Sequence, residues 1–388
     1  MRTIITAERL WDGSRMIDHP VVDIEDGHIL SINSRTSTSI APSTKPLEFP
    51  GSTLAPSFFD VHFHGAAGHD VMEATPEALD KIAAFLTTRG TASFLPTTVT
   101  APLDKTLSAL NGLAKLIAKP QPAGHARPLG IHLEGPFLSH AKRGVQPAEH
   151  LLAPSIATFD RMFEAAEGQV KLITLAPELP GATELTKHAT SRGVRVSVGH
   201  SNATAAETHA SIHAGAVSAT HTYNAMRAID HREPGILGTV LTSDQLFAEL
   251  ICDGIHMVPE MVQIWWRCKG PERGILVTDA MSAAGMPDGE YQLGGFAVHV
   301  ANARATARGV LAGSVLTLDR ALTNFIAFTG ASIAQGLRLL TANPARMTGL
   351  GHEAGALSSG MPANLVAVDE SGKLVGSMVG GRPVSLAA

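Results

Sequence analysis

Residues 54–65 read LAPSFFDVHFHG, an apolar run that ends in two histidines placed two residues apart. Residues i and i+2 of a β-strand point to the same face of the sheet. We therefore expect His62 and His64 to direct both imidazoles toward one point, as two ligands of a single metal ion would. Two histidines on one face are also common on protein surfaces, so the pair needs support from the rest of the chain.

Seven further apolar runs follow the first, and helical patterns such as residues 76–88 and 203–214 separate them. Eight alternating strand and helix units predict a (β/α)8 TIM barrel, an α/β fold with a parallel sheet. The predicted strands are 54–64, 92–99, 128–134, 171–176, 194–200, 216–223, 247–253 and 275–280.

The two ends of the chain carry a different pattern. Short strand-like segments with an Asp26-Gly27 hairpin signal lie near the N-terminus, and the polar stretch 34–46 predicts a loop. Strand-like segments return at 355–357 and 363–368, so we expect the two ends to pair as one small β-sandwich domain. The predicted boundaries are 1–53 and 350–388 for the β-sandwich domain and 54–349 for the catalytic barrel.

The bulk composition narrows the classes of protein to which the chain can belong. It has 388 residues, 44% of them hydrophobic, and a net charge of −5 with no long basic run, which argues against nucleic-acid binding. No apolar stretch reaches the roughly 20 residues that cross a bilayer, and the N-terminus is too quickly charged for a signal peptide. Cys252 and Cys268 form no C-x-x-C motif, so we expect a cytoplasmic protein.

More metal-ligand residue types stand at the ends of predicted strands. Because the chemistry of a (β/α)8 barrel sits at the carboxyl ends of its strands, we expect these side chains to meet the first-strand histidines. Imidazole and carboxylate ligands together suit zinc, iron or another divalent transition metal. The residues are Glu134 on the third strand, His200 on the fifth, His221 on the sixth and Asp279 on the eighth.

Most of the 18 histidines have ordinary roles in this interpretation. His132 shares a strand face with Glu134 but lies one step deeper, so we interpret it as a hydrogen-bonded barrel residue rather than a ligand. A single strand-end histidine is weak evidence for a metal site, whereas six strand-end positions together are strong evidence.

At these residues the chain resembles the N-acetylglucosamine-6-phosphate deacetylase family of the amidohydrolase superfamily. The similar segments run through nearly the whole chain in the expected order, and HTYNAM with REPG is the most specific pair. The segments are FDVHFHG at 59–65, HLEGPF at 132–137, VGHS at 198–201, HTYNAM at 221–226, REPG at 232–235, DGIH at 253–256, VTDAM at 277–281, LAGS at 311–314, TANPA at 341–345 and GMPANLV at 360–366.

The resemblance assigns the principal metal site to Glu134, His200 and His221. The first-strand histidine pair varies within the family, and members that lack it bind one ion. Both histidines are present here, so the resemblance implies a second ion that shares Glu134 and Asp279. We therefore expect one or two divalent ions per subunit, either zinc or iron(II).

The resemblance also implies the reaction, which removes the acetyl group of N-acetylglucosamine 6-phosphate. Neutral water attacks an amide poorly, and a divalent ion lowers the pKa of a bound water from 15.7 toward about 7. Asp279 matches the family's catalytic acid/base, which takes the water proton and passes it to the departing amine. The ion, together with His256, would stabilise the oxyanion that forms on the acetyl carbonyl.

Other positions match the part of the family's site that receives the sugar phosphate, namely Asn224, the Ala225 backbone, Arg232 and His256. Arg232 offers phosphate an always-charged, two-pronged partner, and in the family it reaches a neighbouring subunit's site, which implies a homodimer. Gln146 stands where the family usually carries a histidine. Its amide can hydrogen-bond a sugar hydroxyl but cannot carry a charge.

Other functions stay open from the sequence. N-acetylgalactosamine-6-phosphate deacetylases share these motifs, and other metal-dependent amidohydrolases act on cyclic amides or N-acyl amino acids. Cyclic-amide members often bridge two ions with a lysine on the fourth strand, where this chain has only Lys171 at the opposite end of the barrel. A sugar-phosphate sensor built on an inactive barrel would lack a catalytic group, yet Asp279 and the ligand residues are all present.

Overall fold

Strands form a parallel barrel, a sheet built from both ends of the chain, a four-stranded sheet and a two-stranded ribbon. The computed structural model describes residues 2–35 and 45–387. The predicted loop at 34–46 falls mostly on 36–44, which lie outside the described residues. The ribbon pairs Gly65–Ala66 with His69–Asp70 directly after the first barrel strand.

Eight parallel strands form the barrel and follow one another in chain order, which confirms the predicted (β/α)8 fold. Strands 1 to 7 each pair with the next strand along the chain, and the short strand Arg127–Pro128 also pairs with strand 2. Their carboxyl ends therefore meet at one rim. Barrel strands 1 to 8 are Phe58–Phe63, Thr91–Thr98, Ile131–Glu134, Val170–Leu175, Arg195–Val198, Ala216–Ala219, Phe247–Ile251 and Gly274–Val277.

Barrel strands 8 and 1 close the ring through a bridge and a buried hydrogen bond. Phe63 and Ala280 form a parallel β-bridge, and the His64 N–H donates to the Ala280 carbonyl over 2.8 Å. Deeper in the barrel, the Thr278 hydroxyl donates to Asp60 over 2.6 Å, and both side chains are buried. The closure fixes the relative positions of the two strands that carry three of the predicted ligands.

Helices cover the outside of the barrel and begin where capping residues allow. The predicted helix 76–88 is confirmed, whereas the predicted helix 203–214 begins at Ala205 because Thr204 is its N-cap, in a capping box with Glu207.

No helix in the described ranges combines the length and the apolar character of a membrane span. The α-helices are Pro76–Thr88, Leu103–Ile117, Ile156–Ala165, Ala182–Ser191, Ala205–Ala214, Gly235–Thr242, Pro259–Arg273, Leu318–Thr329, Ile333–Leu340 and Ala342–Thr348, with 3-10 turns at Val71–Glu73, His140–Lys142 and Ala148–His150.

Both ends of the chain contribute strands to one eight-stranded sheet, which we call the terminal sheet. Leu47–Pro56 lies at its centre, parallel to Arg2–Trp11 and antiparallel to Leu365–Val368, so the predicted pairing of the two ends is confirmed. Asp26 and Gly27 form the predicted hairpin turn with positive φ at both positions. The other strands are Met16–Asp18, Pro20–Glu25, His28–Ser34, Leu374–Val379 and Arg382–Val384.

The predicted strand at 355–357 is wrong, because this segment is a loop. The Leu357 N–H donates to the Asp12 carbonyl over 2.9 Å, and the Leu357 side chain is buried in the terminal-sheet core. Its apolar pattern therefore reflects burial rather than strand pairing. The strand Leu47–Pro56 begins well before the predicted start at 54. The predicted start is too late because Pro50, in the first half of the strand, disfavours a strand assignment from sequence.

The apolar run 54–64 divides between two sheets. Residues 54–56 end the central strand of the terminal sheet, and after Ser57 the chain continues directly as barrel strand 1. The Ser57 N–H donates to the Asn364 carbonyl over 3.1 Å, and the Phe58 N–H donates to the Gly90 carbonyl over 2.9 Å. The run is continuous in sequence because both strands are buried where they meet.

A four-stranded antiparallel sheet follows barrel strand 8, and we call it the cover sheet. Its Leu293 and Leu311 face the pocket at the barrel rim. Asp70, which follows barrel strand 1, accepts a hydrogen bond from the Gly294 N–H over 2.7 Å and so ties the cover sheet to the barrel. Its strands are Gly289–Leu293, Phe296–Ala301, Arg304–Ala307 and Val310–Leu311.

Gly90 lies where the terminal sheet meets the barrel, and its substitution tests that contact. Its φ is +78°, and an added Cβ would lie 2.9 Å from Val366 and 3.0 Å from Phe58. We expect Gly90→Ala to lower the free energy of unfolding by ~1–2 kcal/mol because of the left-handed backbone and by a further ~1–3 kcal/mol because of overpacking. Chemical denaturation of the variant and the parent protein measures the loss.

Gly193→Ala is the matched control, because its φ is +79° but nothing lies within 4 Å of an added Cβ. It should show the backbone cost alone. Equal shifts in the unfolding midpoints of the two variants would contradict tight packing between the terminal sheet and the barrel.

Candidate active site

The barrel rim gathers the six predicted ligand residues into two groups of three. Within each group, one ligand atom from every residue lies within 4.8 Å of the other two, and all six side chains are buried. The groups are the first-strand triad of His62, His64 and Asp279, and the glutamate triad of Glu134, His200 and His221. The arrangement follows from the fold, because each residue stands at or just beyond the carboxyl end of a barrel strand.

The glutamate triad has the tighter geometry. Glu134 Oε1 lies 3.1 Å from His200 Nε2 and 3.2 Å from His221 Nε2, and the two imidazole nitrogens are 3.1 Å apart. Three electron-pair donors therefore surround one small volume. Strands 5 and 6 supply the two histidines side by side, as the spacing of one strand-helix unit predicts.

The first-strand triad lies directly beside it. His62 Nε2 and His64 Nε2 are 3.2 Å apart, and Asp279 Oδ1 is 3.1 Å from His64 Nε2. Glu134 lies between the two triads, since its Oε2 is 3.4 Å from His64 Nε2 while its Oε1 belongs to the glutamate triad. Glu134 is thus the residue that two adjacent ions would share.

For two of the histidines, the hydrogen bond of the outer ring nitrogen fixes which nitrogen faces the centre. His64 Nδ1 lies 2.9 Å from the Thr97 carbonyl, and His200 Nδ1 lies 2.9 Å from the Lys142 carbonyl. A carbonyl only accepts, so each Nδ1 carries the proton and each Nε2 presents a lone pair to the centre. This is the orientation of metal-ligating histidines.

The donor set fits divalent metal ions. Two imidazole nitrogens that both bind a tetrahedral zinc ion at about 2.0–2.1 Å lie about 3.3 Å apart. The measured separations of 3.1 and 3.2 Å between Nε2 atoms agree with this edge length. Imidazole with carboxylate suits zinc or iron, so a divalent metal site is supported by the chemistry of the residues present.

Three of the rim residues have backbone conformations that residues other than glycine seldom adopt. The φ angles are +47° at His200, +29° at His221 and +50° at Asp279. Such conformations cost of order 1–3 kcal/mol each and cluster at functional sites. All three residues belong to the two triads.

The electrostatics of the centre are dominated by its carboxylates. Burial acts to raise the pKa of Glu134, but the surrounding imidazoles, His62 first, hold it well below its usual range. Burial likewise opposes ionisation of Asp279, yet His62 and His64 lower its pKa. Burial disfavours the charged form of His62, but Asp279 and Glu134 outweigh it and raise its pKa to about 10. Both acids are therefore ionised, and the centre attracts positive charge.

His132 has the role that its position in the strand predicts. It is fully buried, its Nε2 lies 2.8 Å from the Thr174 hydroxyl, and its Nδ1 lies 3.1 Å from the Val61 carbonyl. Burial holds its pKa well below the usual value, so it is neutral. Both ring nitrogens are satisfied inside the barrel, and His132 belongs to neither triad.

A pocket opens above the two triads and contains most of the predicted substrate residues. Its lining includes Gln146, Asn224, Ala225 and His256 together with the ligand residues. His256 is oriented by Asp253, whose carboxylate lies 2.7 Å from His256 Nδ1. The pocket thus combines hydrogen-bonding side chains with the candidate metal centre.

Gln146 is already engaged with the protein at both ends of its amide. Its Nε2 donates to Glu134 Oε2 over 2.7 Å, and its Oε1 accepts from the Thr100 N–H over 2.9 Å. The side chain is only 3% exposed. One amide hydrogen is left for a ligand, because the NH₂ group has two donors.

Arg232 lies apart from the other predicted substrate residues. It is exposed, and it is not among the residues that line the pocket of its own chain. The neighbouring Glu233 accepts hydrogen bonds from the Ala205 and Gly235 N–H groups, both within 3.0 Å, and so fixes the loop. The structure shows no ion pair between Arg232 and Glu233, both of which it describes.

Sequence reasoning missed Glu249, which lies on barrel strand 7 beneath the triads. It is fully buried, and its Oε2 is 3.2 Å from His62 Nδ1. A signal was available, because it is the one charged residue in the otherwise apolar strand Phe247–Ile251. Buried charges need a partner, so an acid inside a core strand points to a nearby site.

Comparisons with known proteins match most of the chain. The model of the amidohydrolase family matches residues 53–384. The chain is 38% identical to N-acetylgalactosamine-6-phosphate deacetylase of Escherichia coli O157:H7, over 95% of this chain and 96% of the relative. It is also 38% identical to N-acetylglucosamine-6-phosphate deacetylase of Lysinibacillus sphaericus, over 89% and 88% of the two chains.

A solved structure resembles the whole fold. It is a variant of N-acetyl-D-glucosamine-6-phosphate deacetylase from Mycobacterium smegmatis in complex with N-acetyl-D-glucosamine-6-phosphate. The TM-score is 0.92 with 30% sequence identity, and the match covers 100% of both chains. The barrel, the terminal sheet and the cover sheet are therefore all included in the match.

Removal of one ligand from each triad should separate their contributions to metal binding. We expect His221→Asn to lose the ion of the glutamate triad and His64→Asn to lose the ion of the first-strand triad, because each removes an inward nitrogen. Elemental analysis of the purified proteins measures metal per chain. The exposed His209→Asn is the matched control, and unchanged metal content in both ligand variants would refute the assignment.

Proposed function

The chain belongs to the amidohydrolase family, and on that premise we propose that it hydrolyses N-acetylglucosamine 6-phosphate to glucosamine 6-phosphate and acetate. The observation that carries the proposal is the pair of ligand triads beneath a pocket lined by Asn224, Ala225 and His256. The similarity to deacetylases over most of the chain supports the same reaction. The metal is zinc or iron(II), with one or two ions per subunit.

A divalent ion supplies Lewis-acid polarisation of the amide carbonyl and lowers the pKa of water. Asp279 is the general base and acid in the proposal. It lines the pocket, and its lowered pKa keeps it ionised and able to accept a proton at neutral pH. The protonated Asp279 then donates to the departing amine, without which the C–N bond would break toward an unstable amide anion.

The remaining pocket residues orient the sugar. His256, whose Nδ1 is held by Asp253, would present its Nε2 to the acetyl carbonyl oxygen and, with both ring nitrogens protonated, donate to it as negative charge develops there. Asn224 and the Ala225 backbone offer donors for the phosphate end, and Gln146 offers its second amide hydrogen to a hydroxyl. Fixed donors of this kind stabilise the transition state without reorganisation.

Arg232 would bind the phosphate of a substrate held by a second copy of the chain. Its exposure and its absence from its own pocket favour this arrangement. A guanidinium forms paired hydrogen bonds with phosphate, so its loss should affect phosphorylated substrates selectively. The proposed enzyme is therefore a homodimer, and its cytoplasmic location stays a prediction.

A second candidate substrate is N-acetylgalactosamine 6-phosphate. The similarity to an N-acetylgalactosamine-6-phosphate deacetylase over 95% of the chain favours it specifically. The two sugars differ only in the direction of the hydroxyl on carbon 4. Gln146 replaces a histidine that the glucosamine enzymes usually carry, so its free amide hydrogen is a candidate reader of a sugar hydroxyl.

Acetate release tests the reaction and the sugar together. We expect metal-loaded protein to deacetylate N-acetylglucosamine 6-phosphate, and Asp279→Asn to lower kcat by about 10²- to 10⁴-fold because general acid–base transfer is lost. Parallel assays with the galactosamine isomer and with unphosphorylated N-acetylglucosamine compare kcat/KM. The exposed Asp244→Asn is the matched carboxylate control.

Two results would contradict the proposal. No acetate from either phosphorylated sugar with zinc or iron(II) would exclude the reaction. A higher kcat/KM for the galactosamine isomer would instead assign the second substrate.

Mixing of two variants tests whether Arg232 acts in a neighbouring subunit. Arg232→Ala alone should lower kcat/KM by about 10- to 100-fold, since a charge-assisted hydrogen bond to phosphate is lost. In a mixed dimer with Asp279→Asn, one site keeps both groups only if Arg232 reaches across the interface. We expect co-refolded or co-expressed mixtures to recover about a quarter of wild-type activity, because half of randomly formed dimers are mixed.

The mixture has its own control, in which each variant is treated alone. Absence of recovery in a mixture that demonstrably contains mixed dimers would show that Arg232 acts within its own chain or not at all.

A further inference from the structure

Glu249 is a buried carboxylate to which the proposed reaction assigns no role. We propose that it is a positioning residue for the metal centre, which orients His62 and supplies negative charge for the ion of the first-strand triad. The inference rests on the proposed metal-dependent function, because it concerns the same centre.

The position of Glu249 is set by the barrel. It is the third of five residues in strand 7, all of them buried, and it is itself 0% exposed. Strand 7 lies between strand 6, after which His221 follows, and strand 8, after which Asp279 follows. Glu249 therefore lies below the rim, where it can contact ligands from both triads.

One oxygen of Glu249 contacts a residue of each triad. Its Oε2 is 3.2 Å from His62 Nδ1 and accepts a hydrogen bond from the His221 N–H over 3.3 Å. The Glu249 carbonyl also accepts from the Thr222 N–H over 2.8 Å, which holds the backbone just after His221. Glu249 thus links the two triads through hydrogen bonds on the side below the rim.

The contact with His62 determines which ring nitrogen can bind a metal. A carboxylate accepts, so Nδ1 donates its proton to Glu249 and Nε2 presents a lone pair toward His64 Nε2, 3.2 Å away. His64 and His200 direct their Nδ1 protons to neutral backbone carbonyls instead. A charged acceptor raises the basicity of the ligating nitrogen more than a neutral one does.

The second oxygen of Glu249 supplies a second and independent observation. Its other oxygen, Oε1, is buried and has no hydrogen-bond partner among the described residues. In that part of the chain no lysine or arginine forms an ion pair with it, and its single ion-pair partner is His62. A buried carboxylate is costly unless a cation compensates it, and the nearest candidate is an ion bound through His62.

The alternative is that Glu249 merely braces the barrel through the His221 backbone. The two roles differ in what they stabilise. A brace would stabilise the protein equally with and without metal, whereas a positioning residue would increase the stabilisation that metal binding itself provides.

Metal content and metal affinity of Glu249 variants distinguish these roles. We expect Glu249→Ala to lose the same ion as His64→Asn, with a loss of metal affinity of about 10- to 100-fold, the usual effect of removing the partner of a ligating histidine. Glu249→Gln, which keeps the shape and an acceptor oxygen, should lose less. Competition with a chromophoric zinc chelator measures the affinity, and elemental analysis measures metal per chain.

Thermal unfolding with and without zinc supplies the control for folding. The increase in Tm on addition of zinc should shrink in Glu249→Ala, while the metal-free protein changes less. Ser218→Ala is the matched control, because Ser218 is also fully buried in the barrel with an unpartnered side-chain oxygen and contacts neither triad through a hydrogen bond. It should leave both metal content and the zinc-induced increase in Tm unchanged.

Unchanged metal content and affinity in Glu249→Ala would overturn the inference, as would an equal loss of Tm with and without zinc. These measurements use no substrate. Failure of acetate release with the expected metal results would refute the substrate assignment alone, and normal acetate release with unchanged metal binding would refute the role of Glu249 alone.

Discussion

The structure depends on the negative charge that the barrel rim concentrates away from water. Glu134, Asp279 and Glu249 are buried within a few ångströms of the same histidines, and in the described part of the chain no lysine or arginine pairs with any of them. Such a cluster is costly to fold without compensating positive charge. The raised pKa of His62 has the same cause, because Asp279 and Glu134 favour positive charge on that ring.

The clustering of the six candidate ligands could be predicted from the sequence because each stands where an apolar strand ends. Strand ends of a parallel barrel meet at one rim, so position in the sequence predicted position in space. Glu249 was missed because it lies within a strand, where no strand-end rule applies. The two hydrogen bonds of Gln146 were beyond prediction, since they depend on how the loops fold back.

The barrel strands could also be predicted from the sequence, because apolar runs mark buried segments. Repeated apolar runs identify buried strands, and all eight barrel strands follow them. The same signal misled at 355–357, where a loop is buried beside the terminal sheet, and it could not divide 54–64 between two sheets. Hydrophobic pattern reports burial, whereas pairing partners distant in the chain decide which buried segments become strands.

The continuity of the central terminal-sheet strand with barrel strand 1 has a consequence for biosynthesis. One edge of the strand Leu47–Pro56 pairs with Arg2–Trp11, which is synthesised before it. The other edge pairs with Leu365–Val368, which is synthesised near the end of translation. The segment that carries the histidine pair thus stays attached to an open sheet edge until almost the whole chain has left the ribosome. Open edges invite pairing with other chains, so a chain truncated near its C-terminus would be exposed to aggregation at the strand that begins the metal centre.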